Sequence, residues 1–363
     1  MARDQRPRRR GLVFSYARLT ERARGGCPTD ERCIVMIHRF GIKEHLARHY
    51  GIEADLEPIP RGRADNFLVR RQGERWLLKV FQAEYGLARV EQIAHFLGFV
   101  AGAGYPTREL VTTPDGLKAT MLDDRVAVLI PWIDGNTPEP NTLTSRSALW
   151  QVGALCARIH RLGAVYATTR VLDYSGSDRS VAEKRTALLR LAAQQRQDPE
   201  IAQEVDVRLE ILDRWGETLA CSASEASRGV IHGDFTSAHV VFEGDRAVGV
   251  IDVIGDTYIP GWELMRAFFQ SVPCGNGPPN ALHEPWRAYL EGYGSELPIR
   301  AHEVAIAYDV YLLQLAGSTY GLRRPLDGEL RAFGRWRTHL ATYLSKHRHR
   351  LREMFASCVF DRS

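Results

Sequence analysis

The sequence predicts an α+β protein of two lobes, in which a small antiparallel-sheet lobe precedes a larger, mainly helical lobe. Strand-like runs around one helix precede residue 134, helical spacing dominates after residue 136, and 363 residues suffice for two lobes around a cleft. We therefore divide the chain into a basic N-terminal extension (1–35), an N-terminal lobe that ends in a hinge (36–134) and a C-terminal lobe (135–363).

Alternating apolar and polar residues define the N-terminal lobe. We expect strands, in chain order, at 56–59, 67–71, 75–81, 110–113, 119–122 and 126–132. A helix is predicted over 36–56, where it leads into the first strand, and apolar residues at helical spacing predict another over 88–102. Strands around one central helix indicate a small α+β unit.

Helical periodicity dominates the C-terminal lobe. We expect helices at 148–162, in two segments of 181–220, at 301–320 and at 329–345. A strand–turn–strand unit at 230–254 interrupts them.

Composition excludes several classes of protein. The chain is 44% hydrophobic and 25% charged, and it contains no apolar run of the roughly 18 residues that a membrane span requires. No apolar segment follows the basic start, so we expect a cytoplasmic protein without a membrane partner. Residues 1–35 hold nine arginines and four acids, which leaves the remainder nearly neutral, and we therefore expect no nucleic-acid partner. The six scattered cysteines predict no zinc or redox site.

The 230–254 unit carries two acids at the ends of apolar runs. Asp234 follows His-Gly, where it could orient a hydroxyl or act as a general base, provided that no salt bridge engages it; the alternative is an aspartate that caps its own turn. Asp252 ends the second run and could hold a hard cation such as Mg²⁺. Together they favour phosphoryl transfer, which requires a positioned hydroxyl and a neutralised triphosphate.

Lys79 lies within the apolar run Trp-Leu-Leu-Lys-Val-Phe, where its ammonium needs an anion such as a nucleotide phosphate. Snorkelling at a sheet edge is the alternative. Glu91, on the following helix, is the preferred ion-pair partner, and Glu84 competes with it.

These segments resemble a known group of enzymes. H-G-D-F-x-x-x-x-V-V-F followed by V-I-D, preceded by L-L-K-V-F and V-L-I-P-W-I-D-G, is similar to the aminoglycoside phosphotransferase and choline kinase superfamily. The resemblance covers about residues 51–345 and is most specific at 230–254. It implies a two-lobed, protein-kinase-like fold and a small-molecule kinase that uses ATP or GTP with Mg²⁺.

The resemblance also implies roles for individual positions. Asp234 would be the catalytic base, Asp252 the Mg²⁺ ligand, and Lys79 with Glu91 the phosphate-binding ion pair. The cofactor-binding positions that it further implies are the loop from Gly62 to Asn66 and the hinge backbone at Ile130, Trp132 and Ile133.

Two positions depart from the family pattern. Glu263 stands where the family usually has Asp, and His239 replaces an Asn that serves as the second metal ligand. Imidazole is a softer ligand than an amide oxygen and suits Mg²⁺ less well. Three outcomes stay open: His239 binds the metal, the second metal is dispensable, or His239 contacts phosphate; simple packing is the further alternative.

The resemblance implies an acceptor that is a small molecule with a hydroxyl group, and the first expectation is an antibiotic of aminoglycoside or nucleoside type, which phosphorylation would inactivate. Residues 221–300 hold ten acids and five arginines, an excess that favours a cationic acceptor. The candidate acceptor contacts, each with core packing as the alternative, are Trp262, Glu263, Arg266, Trp286 and Tyr311.

Two alternatives to the antibiotic kinase remain. One is a metabolic kinase of homoserine, choline, thiamine or a sugar. The other is a catalytically impaired binding protein, suggested by the Asn that His239 replaces. The enzyme is expected to be a monomer or a homodimer.

Overall fold

The computed structural model describes residues 31–60, 64–166, 179–323 and 328–359, with the backbone alone for 31–40 and 329. Its N-terminal part is a five-stranded antiparallel sheet of order β1-β2-β3-β5-β4. The strands are β1 (Asp55–Ile59), β2 (Asp65–Arg71), β3 (Glu74–Val80), β4 (Thr120–Leu122) and β5 (Arg125–Pro131).

Two helices cover the two faces of this sheet. Helix α1 (Glu31–Tyr50) packs against a face that includes Ala127 and Leu129 of β5. The intervening residues Val126 and Val128 belong to the larger core that also contains α2 (Leu87–Gly102). This alternation follows from the two-residue period of a strand, and it buries β5 on both sides.

The strand expected at 110–113 does not form. Val111 donates one backbone bond to Leu129, at 2.8 Å. At Thr113 the chain already turns, because the amide of Leu117 bonds to the Thr113 side chain at 3.0 Å. The segment thus lies beside β5 but is too short to build a ladder.

The C-terminal lobe is helical, with two short antiparallel sheets of two strands each. Strand β6 (Gly229–Ile231) pairs with β9 (Asp256–Tyr258), and β7 (Val240–Glu243) pairs with β8 (Arg246–Val250). The helices are α3 (Arg146–Val165), α4 (Val181–Gln194), α5 (Pro199–Ser224), α6 (Pro260–Ser271), α7 (His283–Glu296), α8 (Ala301–Gly317), α9 (Gly328–Lys346) and α10 (Arg348–Ser357). Among the helices in the described ranges, none is long and apolar enough to cross a membrane.

The connection between the two lobes is fastened to the β7–β8 hairpin. Asn136 and Phe242 exchange backbone hydrogen bonds of 2.8 Å in both directions. Gly135, at φ 134°, passes so close that an added Cβ would lie 2.5 Å from the carbonyl oxygen of Phe242. A side chain at position 135 would therefore separate the hinge from the hairpin that carries the candidate site.

Helices α3 and α7 pack in close backbone contact. An added Cβ at Gly153 of α3 would lie 2.0 Å from the oxygen of Tyr289, and one at Gly292 of α7 would lie 1.9 Å from the oxygen of Trp150. Each helix thus presents a glycine to a carbonyl of the other. The contact fixes α3, whose side chains support the site described below.

We expect Gly292→Ala to destabilise the protein by about 1–3 kcal/mol, because the new methyl group would force the two helices apart. Gly294→Ala is the matched control, since its added Cβ meets nothing within 4 Å. It should stabilise the same helix by about 0.5–1 kcal/mol. Urea unfolding of both variants measures the difference, and equal stabilities would contradict the close packing.

Candidate active site

A sharp turn after β6 brings Asp234 to the surface of the cleft. Gly233 adopts φ 94°, where an added Cβ would lie 3.0 Å from both Asp256 Oδ2 and Ile254 Cβ. The next two side chains then diverge: Phe235 is fully buried, while Asp234 is 39% exposed. We call residues 232–235 the HGDF loop.

A buried carboxylate holds the HGDF loop. Glu263 of α6 accepts the amides of His232 at 2.9 Å, Gly233 at 2.8 Å and Phe235 at 3.4 Å. Burial alone would raise the pKa of Glu263, but the hydrogen bond from His160 and the nearby imidazoles bring it below its usual range. The sequence placed Glu263 among the acceptor contacts; the structure corrects this, because the side chain is 0% exposed and binds backbone instead.

His160 and Tyr293 support Glu263 from behind. His160 Nε2 lies 3.1 Å from Glu263 Oε2, and since a carboxylate only accepts, this nitrogen carries the proton. His160 Nδ1 then accepts from the Tyr293 hydroxyl at 2.9 Å. Burial raises the pKa of Tyr293 well above its usual value, so the phenol keeps its proton. A hydrogen-bonded chain thus runs from α7 through α3 and α6 to the HGDF loop.

Arg266 lies one turn after Glu263 on α6 and pairs with Asp234 Oδ1. It also donates to the carbonyl of Phe235 at 3.2 Å, and its guanidinium lies 5.6 Å from the ring of Trp262. The condition that no salt bridge engages Asp234 is therefore not met at Oδ1. Arg266 fixes one carboxylate oxygen of Asp234, and Oδ2 is on the side of His239, 3.9 Å from its Nδ1.

Asp252 follows β8 in a left-handed conformation, at φ 59°, which a non-glycine residue adopts only where its surroundings hold it. Its Oδ1 lies 2.7 Å from Lys79 Nζ of β3. Burial would raise the pKa of Asp252, but the charge of Lys79 and its hydrogen bond to the carboxylate hold it well below its usual range. This ion pair joins the sheet lobe to the helical lobe.

His239 lies between the two acids. Its Nδ1 is 2.7 Å from the backbone oxygen of Asp234, and its Nε2 is 3.7 Å from Asp252 Oδ2. The ring is nearly parallel to that of His232, with the centroids 6.2 Å apart. The three residues predicted to perform the chemistry, Asp234, His239 and Asp252, are thus adjacent.

His232 ties the two acid-bearing segments together. Its Nε2 donates to the carbonyl of Ile251 at 3.1 Å, and its Nδ1 accepts the amide of Asp234 at 3.2 Å. Burial lowers the pKa of His232 to about 4, so the ring is neutral near pH 7. Both nitrogens are occupied, and His232 therefore has a structural role.

A second ion pair between the lobes escaped the sequence analysis. Arg89 of α2 pairs with Asp256, whose pKa is raised by burial although Arg89 opposes that effect. The only sequence signal was an acid four residues after Asp252 in V-I-D-V-I-G-D. The predicted pair of Lys79 with Glu91 is not formed: Lys79 contacts Asp252, and Glu91 is exposed on α2.

The predicted nucleotide-binding positions have mixed outcomes. Gly62 lies outside the described residues. Asn66 belongs to β2, directly opposite Lys79 in the strand register, and donates to the carbonyl of Ala64 at 3.2 Å. It is thus adjacent to the lysine, while its role toward phosphates stays a prediction.

The hinge positions Ile130, Trp132 and Ile133 are all half-buried. The amide of Trp132 donates to the carbonyl of Arg75 at 3.0 Å, so this donor is already used within the sheet. The side chain of Ile133 packs over Gly249, where an added Cβ would lie 2.7 Å from it. A nucleobase contact by the remaining hinge backbone stays a prediction.

Three aromatic residues expected at the acceptor site lie in the core instead. Trp262, Trp286 and Tyr311 are at most 2% exposed. Trp286 stacks on Phe355, and Tyr311 stacks on Phe269. Helix packing, rather than an acceptor, accounts for these three side chains.

The acid excess of residues 221–300 is offset by cations from other segments. Besides Lys79 and Arg89, these are Arg146, which pairs with Glu284 and Glu291, and Arg161, which pairs with Glu296. Long-range attraction of a cationic acceptor is therefore much weaker than the segment's own charge suggests.

The donor set fits a divalent cation bound to a nucleotide. Asp252 offers carboxylate oxygen, His239 an imidazole nitrogen, and Lys79 an ammonium beside them. Carboxylates together with nucleotide phosphates hold Mg²⁺ in many kinases. Asp234 and Asp252 each lie within 4 Å of the imidazole of His239.

We expect Glu263→Gln to disorder the HGDF loop, because the amide group would direct N–H donors at backbone N–H donors. Stability should fall by about 1–3 kcal/mol for each buried group left unpaired, and turnover should fall with it. Urea unfolding together with phosphate-transfer rates tests this. Glu225→Gln, at an exposed helix cap, is the control; an unchanged Glu263→Gln protein would contradict the anchoring role.

We also expect stability to fall as the pH drops from about 6.5 to about 4. In this window His232 and His45, each with its pKa lowered from 6.5 to about 4 chiefly by burial, stay neutral when folded and become protonated when unfolded. Each contributes up to about 1.4 kcal/mol per pH unit. His45→Gln, away from the HGDF loop, should reduce this slope in urea unfolding; an unaltered slope would exclude the contribution of His45.

Comparison with known proteins assigns this site to a family. The phosphotransferase enzyme family (APH) matches residues 55–256. A homoserine kinase of Zymomonas mobilis subsp. mobilis is 23% identical over 265 residues, which are 72% of this chain and 77% of the relative. A homoserine kinase of Mesorhizobium japonicum is 27% identical over 254 residues, 66% of this chain and 71% of the relative.

The fold is shared with solved kinase structures. The spectinomycin phosphotransferase APH(9)-Ia, in complex with ADP and spectinomycin, superposes with a TM-score of 0.61 at 15% identity, covering 84% of this chain and 97% of the other. This likeness confirms the predicted two-lobed, kinase-like α+β fold. Because the family match spans more than half of the sequence and includes Lys79, Asp234 and Asp252, the chain belongs to the APH phosphotransferase enzyme family and is a phosphotransferase with an alcohol group as acceptor.

Proposed function

We propose that this enzyme transfers the γ-phosphoryl group of ATP to the hydroxyl of a small hydroxy amino acid of the homoserine type. One observation carries the proposal: Asp234 is held through Oδ1 by Arg266 and stands beside the Lys79–Asp252 pair. A hydroxyl acceptor and a nucleotide phosphate can therefore meet at one point of the cleft.

Asp234 would orient the acceptor hydroxyl through Oδ2 and receive its proton. As the acceptor oxygen bonds to the γ-phosphorus, the bond from that phosphorus to the bridging oxygen breaks and ADP leaves. The proton on Asp234 then passes to solvent. Arg266 makes Asp234 a weaker base than a carboxylate without a salt bridge, but phosphoryl transfer needs mainly positioning and charge neutralisation, and the contact at Oδ1 positions Oδ2 for the acceptor hydroxyl.

Lys79 would bind the phosphates by exchanging part of its contact with Asp252 for phosphate oxygens. Asp252 and His239 would hold Mg²⁺, which when bound neutralises charge on the phosphates. The ammonium of Lys79 compensates the charge of Asp252. The two residues therefore need no large rearrangement to change partners.

A metabolic acceptor is supported better than an antibiotic. The curated relatives described above are homoserine kinases, and they match most of the chain at low identity. The acid excess that favoured a cationic antibiotic is neutralised locally.

A catalytically impaired binding protein is the least supported alternative. Lys79, Asp234 and Asp252 are all present: Lys79 pairs with Asp252, and both acids lie beside His239. The replacement at position 239 alters the metal-binding group without removing a donor.

A phosphate-transfer screen tests the proposal directly. Homoserine, choline, thiamine, sugars and aminoglycoside or nucleoside antibiotics would each be offered with ATP or GTP. We expect turnover with ATP and homoserine or a closely related hydroxy amino acid. Transfer confined to antibiotics would replace the metabolic assignment, and tight nucleotide binding without transfer to any acceptor would support the binding-protein alternative.

We expect Asp234→Asn to lower kcat by a factor of about 10²–10⁴ with little change in nucleotide affinity, because it removes the proton acceptor but keeps the shape. Asp245→Asn makes the same change at an exposed position in the β7–β8 turn and should leave kcat intact. Steady-state kinetics with the substrate identified by the screen gives both values. Equal rates in the two variants would exclude Asp234 as the base.

A further inference from the structure

We propose that His239 binds the nucleotide-associated cation through a neutral Nε2, so that this enzyme prefers Mn²⁺ or a similar first-row transition ion over Mg²⁺. The inference rests on the proposed kinase function and deepens it. It concerns the metal that accompanies the nucleotide and is independent of the acceptor.

The hydrogen bond at Nδ1 sets the form of the ring. Nδ1 lies 2.7 Å from the carbonyl oxygen of Asp234, and a carbonyl can only accept, so Nδ1 carries a proton. In the neutral ring Nε2 then presents its lone pair. Histidine ligands in metalloproteins commonly donate their other N–H to a backbone carbonyl or a carboxylate in this way, which fixes both tautomer and orientation.

The position of Nε2 suits a shared cation. Its distance of 3.7 Å from Asp252 Oδ2 is longer than a hydrogen bond but short enough for both atoms to bind one ion. Lys79 contacts the other oxygen, Oδ1, and so leaves Oδ2 on the side of the imidazole. His239 is 21% exposed, which leaves the site accessible from the cleft.

The neighbouring His232 shows what a packing histidine looks like in this fold. It donates through Nε2 to the carbonyl of Ile251 and accepts the amide of Asp234 at Nδ1. Both of its nitrogens are thus used by the backbone. His239 is held by the backbone through one nitrogen only and directs the other toward a carboxylate.

Ligand chemistry then predicts the choice of metal. Mg²⁺ is hard and favours oxygen donors in octahedral geometry, whereas imidazole nitrogen increases affinity for transition ions such as Mn²⁺, Co²⁺ and Zn²⁺. Two protein ligands, one oxygen and one nitrogen, leave the remaining positions for phosphate oxygens and water. Among these ions, Mn²⁺ retains the affinity for carboxylate and phosphate oxygens that a nucleotide site requires.

The test uses the full chain with Mn²⁺ and the non-hydrolysable β,γ-methylene analogue of ATP, without acceptor. Pulsed electron paramagnetic resonance detects nitrogen bound to Mn²⁺. Protein labelled with ¹⁵N only at histidine separates imidazole from adenine nitrogen. We expect a coupling that changes with the histidine label and disappears in His239→Asn. His302→Asn, on the exposed face of α8, should leave it unchanged.

Metal affinity supplies a second measurement. The ratio of the Mn²⁺ and Mg²⁺ dissociation constants, measured with the same analogue, should shift toward Mg²⁺ by about tenfold in His239→Asn and stay constant in His302→Asn. A bound Mn²⁺–nucleotide complex without a histidine-derived coupling, or an unchanged ratio, would overturn the inference while leaving the kinase assignment intact. Failure to bind the Mn²⁺–nucleotide complex would defeat both.

Discussion

The carboxylate of Glu263 is the contact on which the site's geometry depends. It accepts three amides of the HGDF loop on one side and a hydrogen bond from His160 on the other, entirely out of contact with solvent. A buried charge is tolerated only where hydrogen bonds compensate its desolvation, and here the donors are the backbone of the HGDF loop itself. The conformation that exposes Asp234 and the ionisation of Glu263 therefore stabilise each other. Arg266, one turn later on the same helix, orients the carboxylate of Asp234 through an ion pair.

Two ion pairs connect the lobes, and both of their acids lie within residues 252–256. Asp252 pairs with Lys79 of the sheet, and Asp256 pairs with Arg89 of α2. Both contacts bridge the cleft in which phosphoryl transfer is proposed, so the charge of the nucleotide enters a region that is already internally compensated. Nucleotide binding must therefore replace an existing ion pair between protein residues with a pair between protein and phosphate, because these cations are already compensated by acids. A nucleotide that engages Lys79 would weaken the first bridge while the Arg89 bridge still holds the lobes together.

Local patterns predicted the strands, the helices and the acids of the 230–254 unit, because two-residue and 3.6-residue periods are properties of short segments. They selected Glu91 of α2 as an ion-pair residue, whereas the structure uses Arg89. These residues are separated by about 200° around α2, and only the packing of that helix on the sheet decides which one faces Asp256. The same limit explains Trp262 and Glu263: both lie on α6, but their burial depends on how deeply the helix is embedded. The turn at Thr113 likewise shortened a segment whose composition alone favoured a strand.

Three histidines lie in or beside the HGDF loop, and their hydrogen bonds distinguish the structural ones from the proposed metal ligand. His160 uses one nitrogen for Glu263 and the other for Tyr293, and His232 uses both for backbone groups. In each case the partners fix the tautomer and leave no lone pair for a ligand. His239 resembles them in one respect, since its Nδ1 is held by the carbonyl of Asp234. It differs in the other, because its Nε2 lies 3.7 Å from the carboxylate of Asp252, which is longer than a hydrogen bond. The hydrogen bond from Nδ1 to the carbonyl of Asp234 orients the ring and also links it to the proposed base. A substitution at position 239 would therefore also remove a partner from that carbonyl. The departure from the family's Asn is thus coupled, through one hydrogen bond, to the residue that must orient the acceptor.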